Sequence, residues 1–216
     1  MNLRPIASAS LFLFLFAVLG AGLVAYTHEK TAARIHDNER RALLKSLREL
    51  IPPERYDNDI FHDVLYVRHR ELLGTDKPVA VYRARMQGWP VAAVIAAVAP
   101  DGYNGNIQLL VAINVDGTLA GVRVIQHRET PGLGDNIERS RSDWILSFNG
   151  KSLGNPGKRG WKVKRDGGTF DQFTGATITP RAVVKAVYNA LLYYELHHDE
   201  LFAQASERPA PERKIP

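Results

Sequence analysis

The chain has 216 residues, 45% of them hydrophobic and 24% charged, with a formal net charge of +5, which suits one folded domain with appendages. It contains no cysteine, and this excludes disulfides, thiolate metal sites and cysteine-ligated iron–sulfur clusters, so any redox role needs a cofactor held by other chemistry. The mild positive charge is spread along the chain and solubility alone explains it; no nucleic-acid recognition fold accompanies it.

From Pro5 to Thr27 no residue is formally charged, and Leu11-Phe12-Leu13-Phe14-Leu15-Phe16 opens a strongly apolar run. As a helix this stretch spans roughly 34 Å, against a hydrocarbon core of about 30 Å. The competing reading is a cleaved signal peptide. The apolar part is longer than a usual signal core, however, and no convincing small-x-small cleavage site precedes Tyr26. Residues 1–27 are therefore expected to form a membrane anchor. Arg4 lies on one flank, and Lys30, Arg34, Arg40 and Arg41 on the other. Taken alone, that count favours a cytoplasmic domain, but long domains after a first helix translocate largely regardless of charge, so the residues leave the side open.

Residues 28–51 carry Ile35, Leu43, Leu47 and Leu50 among charges, a helical pattern ended by Pro52-Pro53. Residues 28–75 are expected to be a helical stalk and lead-in, and residues 76–200 the folded domain. Lys77 to His127 reads as antiparallel strands: Val79–Arg85 alternates, and Pro90–Ala99 is a continuous apolar run suited to a buried strand. Ile107–Val115 and Leu119–Gln126 flank Asp116-Gly117, which predicts a two-residue hairpin turn with positive φ at both positions. A helix is expected over Asn136–Phe148 and a short strand over Trp161–Lys164, before the Asp166-Gly167-Gly168 turn. From Pro180 to about His198, Val183, Val187, Leu191 and Tyr194 recur at helical spacing. Residues 201–216, rich in proline and charge from Ser206 on, are expected to be disordered. The fold class that results is α+β: an antiparallel sheet flanked by helices, on an N-terminal transmembrane helix and helical stalk.

The stretch Asp171-Gln172-Phe173-Thr174-Gly175-Ala176-Thr177-Ile178-Thr179-Pro180 is a hydroxyl-rich loop of small residues opening onto that last helix. Proline suits a first helical turn, which makes Thr179 the expected N-cap, and backbone N–H groups there accept a phosphate. On residue types alone an ordinary capped helix start reads the same. Upstream, Glu129-Thr130-Pro131-Gly132-Leu133-Gly134 makes a tight turn with one apolar side chain between glycines, which alone is a plain strand-to-helix loop.

Both segments resemble motifs of the FMN-binding domain family. Its flavinylation motif is aspartate, two residues, Ser/Thr-Gly-Ala-Thr, one residue, Ser/Thr; six such positions coincide by chance in a chain of this length on the order of once in ten thousand. Gly102-Tyr103-Asn104-Gly105 resembles a further family loop less specifically. The resemblance covers roughly residues 80 to 195. It implies FMN joined as a phosphoester to the last hydroxyl of the motif, here Thr179. It also implies a flavin ring packed by the loop that holds Glu129, Thr130, Leu133 and Gly134. Asp171, Thr174, Gly175, Ala176 and Thr177 would be read by a separate flavin transferase using FAD and a metal, and would then line the site. Flavin supplies the redox chemistry, so no catalytic acid–base set and no metal site are expected in this chain. Covalent attachment suits a compartment where a free cofactor would be lost, which together with the family implies a single-pass protein of the inner membrane with its domain in the periplasm. Length and the early start of the domain look more like the RnfG branch of the family, which serves the Rnf electron transport complex, an ion-coupled ferredoxin:NAD relay with other membrane subunits. The corresponding FMN-bearing component of the sodium-translocating NADH:quinone reductase is the alternative, and a non-redox anchored binding module is the reading of another class.

The remaining candidates are weaker. Gly132-Leu133-Gly134 lacks the third glycine of a dinucleotide fingerprint, and Gly157-Lys158 lacks the rest of a phosphate loop. Lys158, Arg159, Lys162, Lys164 and Arg165 read as a solvated face. His197 and His198 are adjacent and point apart on a helix, so they do not form a metal pair, and Tyr193-Tyr194 reads as packing.

Overall fold

The computed structural model describes residues 4–206, and the chain divides between Leu44 and Lys45 into two units. Helix α1 runs Arg4–Leu50, with no proline between Pro5 and Pro52 to interrupt it. Within the first unit, Ala9–Ala32 is long and apolar enough to cross a membrane, and none of it is buried. Thr27 and Thr31 return their hydroxyls to the carbonyls of Leu23 and Thr27, so these polar groups are satisfied within the helix itself.

The second unit begins with the last turn of α1. After it come β1 (Val64–Val67), the short helix α2 (Arg70–Leu73) and four longer strands. These are β2 (Val79–Met86), β3 (Trp89–Gly102), β4 (Gly105–Asn114) and β5 (Leu119–Gln126). The sheet is an antiparallel meander in the order β1-β2-β3-β4-β5. Helix α3 (Ile178–Ala203) packs across β3 and β4. Its Val183, Val187, Ala190 and Leu191 share one core with Ile95, Ala97, Leu109 and Val111. The alternate residues Val94, Leu110 and Ala112 are buried too, as are Leu47, Leu50 and Ile51. Leu50 lies so near Gly121 that a Cβ there would stand 3.0 Å from it. Burial on both faces explains why β3 reads as an unbroken apolar run rather than an alternating one.

Several expectations need correction. Strand β1 falls in the stretch assigned to the stalk and was not foreseen. The two-residue turn with two positive φ angles lies at Gln87 (52°) and Gly88 (81°), not at Asp116-Gly117, where only Gly117 is positive. There Asn114 N–H bonds to Thr118 O, and Asp116 accepts from the Thr118 N–H and hydroxyl, which makes a longer loop. Asn136–Phe148 is not one helix but two 3₁₀ turns, Gly134–Ile137 and Trp144–Phe148. Ser142 is the reason: its hydroxyl donates to Asn136 O at 2.6 Å and accepts from Trp144 N–H at 3.1 Å, taking backbone groups a helix would use. Trp161–Lys164 makes only an isolated bridge, Val163 to Phe170. Disorder was expected from residue 201, but α3 continues to Ala203, Leu201 is buried, and the carbonyl of Gln204 and the hydroxyl of Ser206 are held by Arg83. Residues 207–216 lie outside the described residues.

Candidate functional site

The site forms where the β3–β4 turn, the loop after β5 and the start of α3 meet. Gly102 pairs with Gly105 across the turn, and a Cβ on Gly102 would stand 2.2 Å from Gly105 O, so glycine is required for so close a closure. The turn points the N–H groups of Tyr103 and Asn104 at the Glu129 carboxylate, at 3.3 and 3.0 Å. Glu129 is held from its other side as well. Its own N–H donates to His127 Nδ1 at 3.0 Å. A ring nitrogen that accepts carries no proton, so Nε2 donates to Glu138, 2.6 Å away. That bond is the main reason the Glu138 carboxyl lies below its ordinary value.

After Glu129 the chain turns tightly, with Leu133 N–H and Gly134 N–H both donating to Thr130 O. At Gly134 an added Cβ would meet Glu129 Cβ at 2.9 Å and Thr179 Oγ at 3.0 Å, so the absent side chain lets these two residues meet.

The motif segment is tied down at its start. Trp144 Nε1 donates to Asp171 O at 2.8 Å, and Lys164 pairs with the Asp171 carboxylate at 2.5 Å. Trp144 packs edge-on to Phe148 and Phe173, and Phe148 stacks on Phe170 and Trp161, so an aromatic cluster carries this part of the loop. A bridge between Phe173 and Ala176 then encloses Gly175, at φ 82°. Thr177, not Thr179, is the residue before α3, and no side-chain hydrogen bond caps the helix. Thr179 instead sits inside the first turn with its side chain turned inward. It is 1% exposed and its hydroxyl donates to Glu129, itself 4% exposed.

Above this pair opens a cavity of about 370 Å³, lined by Tyr103, Glu129, Thr130, Leu133, Gly134, Gly175, Ala176, Thr177, Ile178 and Thr179, a size in the range of small-molecule sites. Tyr103, Leu133 and Ile178 stand on it 65%, 41% and 45% exposed, an apolar rim over a polar floor. Of the residues expected at the site, Glu129, Thr130, Leu133, Gly134, Gly175, Ala176, Thr177 and Thr179 come together here. Asp171 and Thr174 do not line the cavity and are exposed on the approach to it. Ile178 was missed because it fills the motif's unconstrained position; its signal was a large apolar residue beside a polar motif.

Residues 102–192 match the FMN-binding domain family, and residues 1–50 match the RnfG N-terminal region. The G-type subunit of the ion-translocating oxidoreductase complex of Pseudomonas aeruginosa is 50% identical over 200 residues, covering 93% of this chain and 94% of the relative. Its counterpart in Pseudoalteromonas atlantica is 49% identical, covering 94% of each chain. That of Vibrio cholerae is 46% identical, covering 94% of this chain and 96% of the relative. The chain belongs to the RnfG family, the G-type subunits of ion-translocating oxidoreductase complexes. Every residue lining the cavity falls inside the matched FMN-binding domain. The cavity fits such a group: its floor offers a hydroxyl, its rim offers apolar surface for a ring, and the Gly134 and Gly175 positions leave open what side chains would fill. A Cβ on Gly175 would stand 3.2 Å from Leu133 Cδ2.

Proposed function

We propose that this protein carries FMN as a phosphoester on Thr179 and relays electrons through it, on the periplasmic side of the inner membrane. The observation that carries the reading is the Thr179 hydroxyl on the floor of a cavity whose other walls come from the two family motifs and from Tyr103 of the β3–β4 turn. Bound there, the flavin supplies the redox chemistry, while the protein holds and shields it. Thr179 holds the phosphate end. Tyr103, Leu133 and Ile178 offer the ring apolar contact and limit water. Asp171 and Thr174 are exposed beside the cavity, which suits residues read by a flavin transferase acting in trans. The relatives' names favour this reading over the quinone-reductase one, and the other subunits of such a complex are the expected electron partners.

Coexpression with a flavin transferase tests it. The intact chain should gain the mass of FMN less one water and fluoresce in a denaturing gel, with the adduct mapped to Thr179. Thr179→Ala should lose all covalent flavin and stay folded, because removing one hydrogen bond costs roughly 1–3 kcal/mol, small against a domain's stability. An adduct on Thr177 would move the assignment by one hydroxyl, and no adduct at all would leave a non-redox binding module. For topology, a reporter fused after Pro216 should work only when it is of the kind active after export; activity from a reporter that functions only in the cytoplasm would overturn the periplasmic placement.

A further inference from the structure

We propose that Glu129 is the proton acceptor for flavin attachment, so that the chain brings the base for its own modification. The proposal rests on Thr179 being the attachment site. A general base has to lie within hydrogen-bond reach of the proton it takes, and the Thr179 hydroxyl already donates to Glu129 Oε2. Both side chains are at least nine-tenths buried, so a base from another protein would first have to displace Glu129. The carboxylate is also preset: Tyr103 and Asn104 N–H groups hold it from the β3–β4 turn, and Gly134 leaves the space in which acid and hydroxyl meet.

The same contact explains the choice of hydroxyl. Thr130, Thr177 and Thr179 all line the cavity. Thr130 accepts from the Asn104 side chain, and among the described residues Thr179 is the one of the three whose hydroxyl is given to a carboxylate. Glu129 is the only carboxylate among the described residues of the lining.

In the step, Thr179 Oγ forms a bond to the flavin-side phosphorus of a flavin dinucleotide presented by the transferase. The anhydride bond on that phosphorus breaks, and the nucleoside monophosphate leaves with the bonding pair. The Oγ proton passes to Glu129. Nothing is oxidised or reduced.

Single-turnover loading tests this. The purified full chain in detergent is mixed with purified flavin transferase, FAD and magnesium, and covalent flavin is followed by fluorescence after denaturation. Wild type should load on Thr179. Glu129→Gln keeps the shape and, through its single amide oxygen, one of the two contacts to the turn, but it takes no proton, so it should load about 100-fold slower or worse. Glu129→Asp keeps a carboxylate that is set back by one methylene and still takes a proton, so it should be slowed by up to about 100-fold, less than Glu129→Gln. Gln loading faster than Asp overturns the proposal, and so does a slowing that follows each variant's loss of melting temperature, which is what a purely structural Glu129 would give. Glu129→Gln loading within about threefold of wild type would place the base in the transferase instead. If Glu129→Gln fails to fold, Asp decides alone, and loading at the wild-type rate overturns the proposal. A wild-type chain that takes no flavin refutes the attachment reading, a result distinct from any of these.

Discussion

Among the described residues, a buried polar cluster lies at each end of α3, and the two are built for opposite purposes. At the C-terminal end of α3, Arg83 is 1% exposed and all three of its nitrogens are engaged. Nε donates to Asp63, with which Nη2 also forms an ion pair; Nη1 donates to the carbonyls of Leu201 and Gln204, and Nη2 donates to Ser206. Arg85 adds a bond to Asp63 and one to Phe202 O. Nothing is left over for a ligand, and the cluster clamps the end of α3 to the sheet. At the other end of α3, Glu129 and Thr179 are equally buried, yet they form the floor of a cavity with an apolar rim. Burial and charge alone do not distinguish a clamp from a site. The border does: both groups have internal partners, but a buried polar group walled in on every side holds the fold, and one that borders a cavity is placed for chemistry.

The largest expected effect lies at the clamp. Arg83→Ala leaves the carbonyls of Leu201 and Gln204 without this donor and Asp63 with Arg85 as its remaining cationic partner, and should cost about 3–5 kcal/mol, a fall in melting temperature of roughly 10 °C or more for a domain of this size. At a temperature where the variant is folded, it should still take flavin to the wild-type extent. Loss of loading in the folded variant would show that the two clusters are coupled, and the contrast between them would fail.

Acid should act on the clamp next. Burial pushes the Asp63 carboxyl up, but the Ser206 hydroxyl, the Arg83 charge and hydrogen bonds from Arg83 and Arg85 outweigh it and hold the group below its usual value. As pH falls, the unfolded chain therefore takes its proton first. The stability contributed by Asp63 is whole above about pH 4 and is lost as pH drops through the lower folded value. Other carboxyls are lowered too, so the informative measurement is melting against pH in wild type and Asp63→Asn. The variant should show the shallower slope below about pH 4, and equal slopes would remove Asp63 from the account.

The smallest effect on stability should come from the rim. Leu133 is 41% exposed, so Leu133→Ala should change stability by only about 0.5 kcal/mol or less. In flavin-loaded protein it should nonetheless raise quencher access and shift the potential. Unchanged quenching and potential would show that the ring does not rest on this loop.

Much of the fold was legible because the signals were local. The edges of β2 through β5 follow from apolar runs bounded by turn residues, and α3 from its helical spacing. Where side chains compete for the backbone, periodicity misled: Ser142 breaks the helix that Ile137, Ile145 and Phe148 suggested. The site was legible as two motifs but not as a contact, since Glu129 and Thr179 lie 50 positions apart and only the fold brings them together. The placement of Thr179 as an N-cap failed for a related reason, because Ile178 extends the helix by a residue and turns Thr179 inward. The clamp left only one trace, Arg83 and Arg85 in phase with the buried Val79 and Val81, and nothing local names Leu201, Gln204 or Ser206 as its partners.

Strand β3 runs from Trp89 to Gly102, about 43 Å of extended chain. A flavin carried beside Gly102 is therefore separated by the length of the sheet from the hairpin tips at Gln87-Gly88 and Asp116-Gly117. Electron tunnelling through protein decays exponentially with distance, so a redox centre docked at those tips would be out of electrical contact. With the flavin placed as proposed, donor and acceptor are expected to dock nearer the end of the domain ringed by Tyr103, Leu133 and Ile178 than the far hairpin tips. On the flavin placement proposed above, the long strand works as an insulator and leaves the cavity end as the terminal for electron transfer.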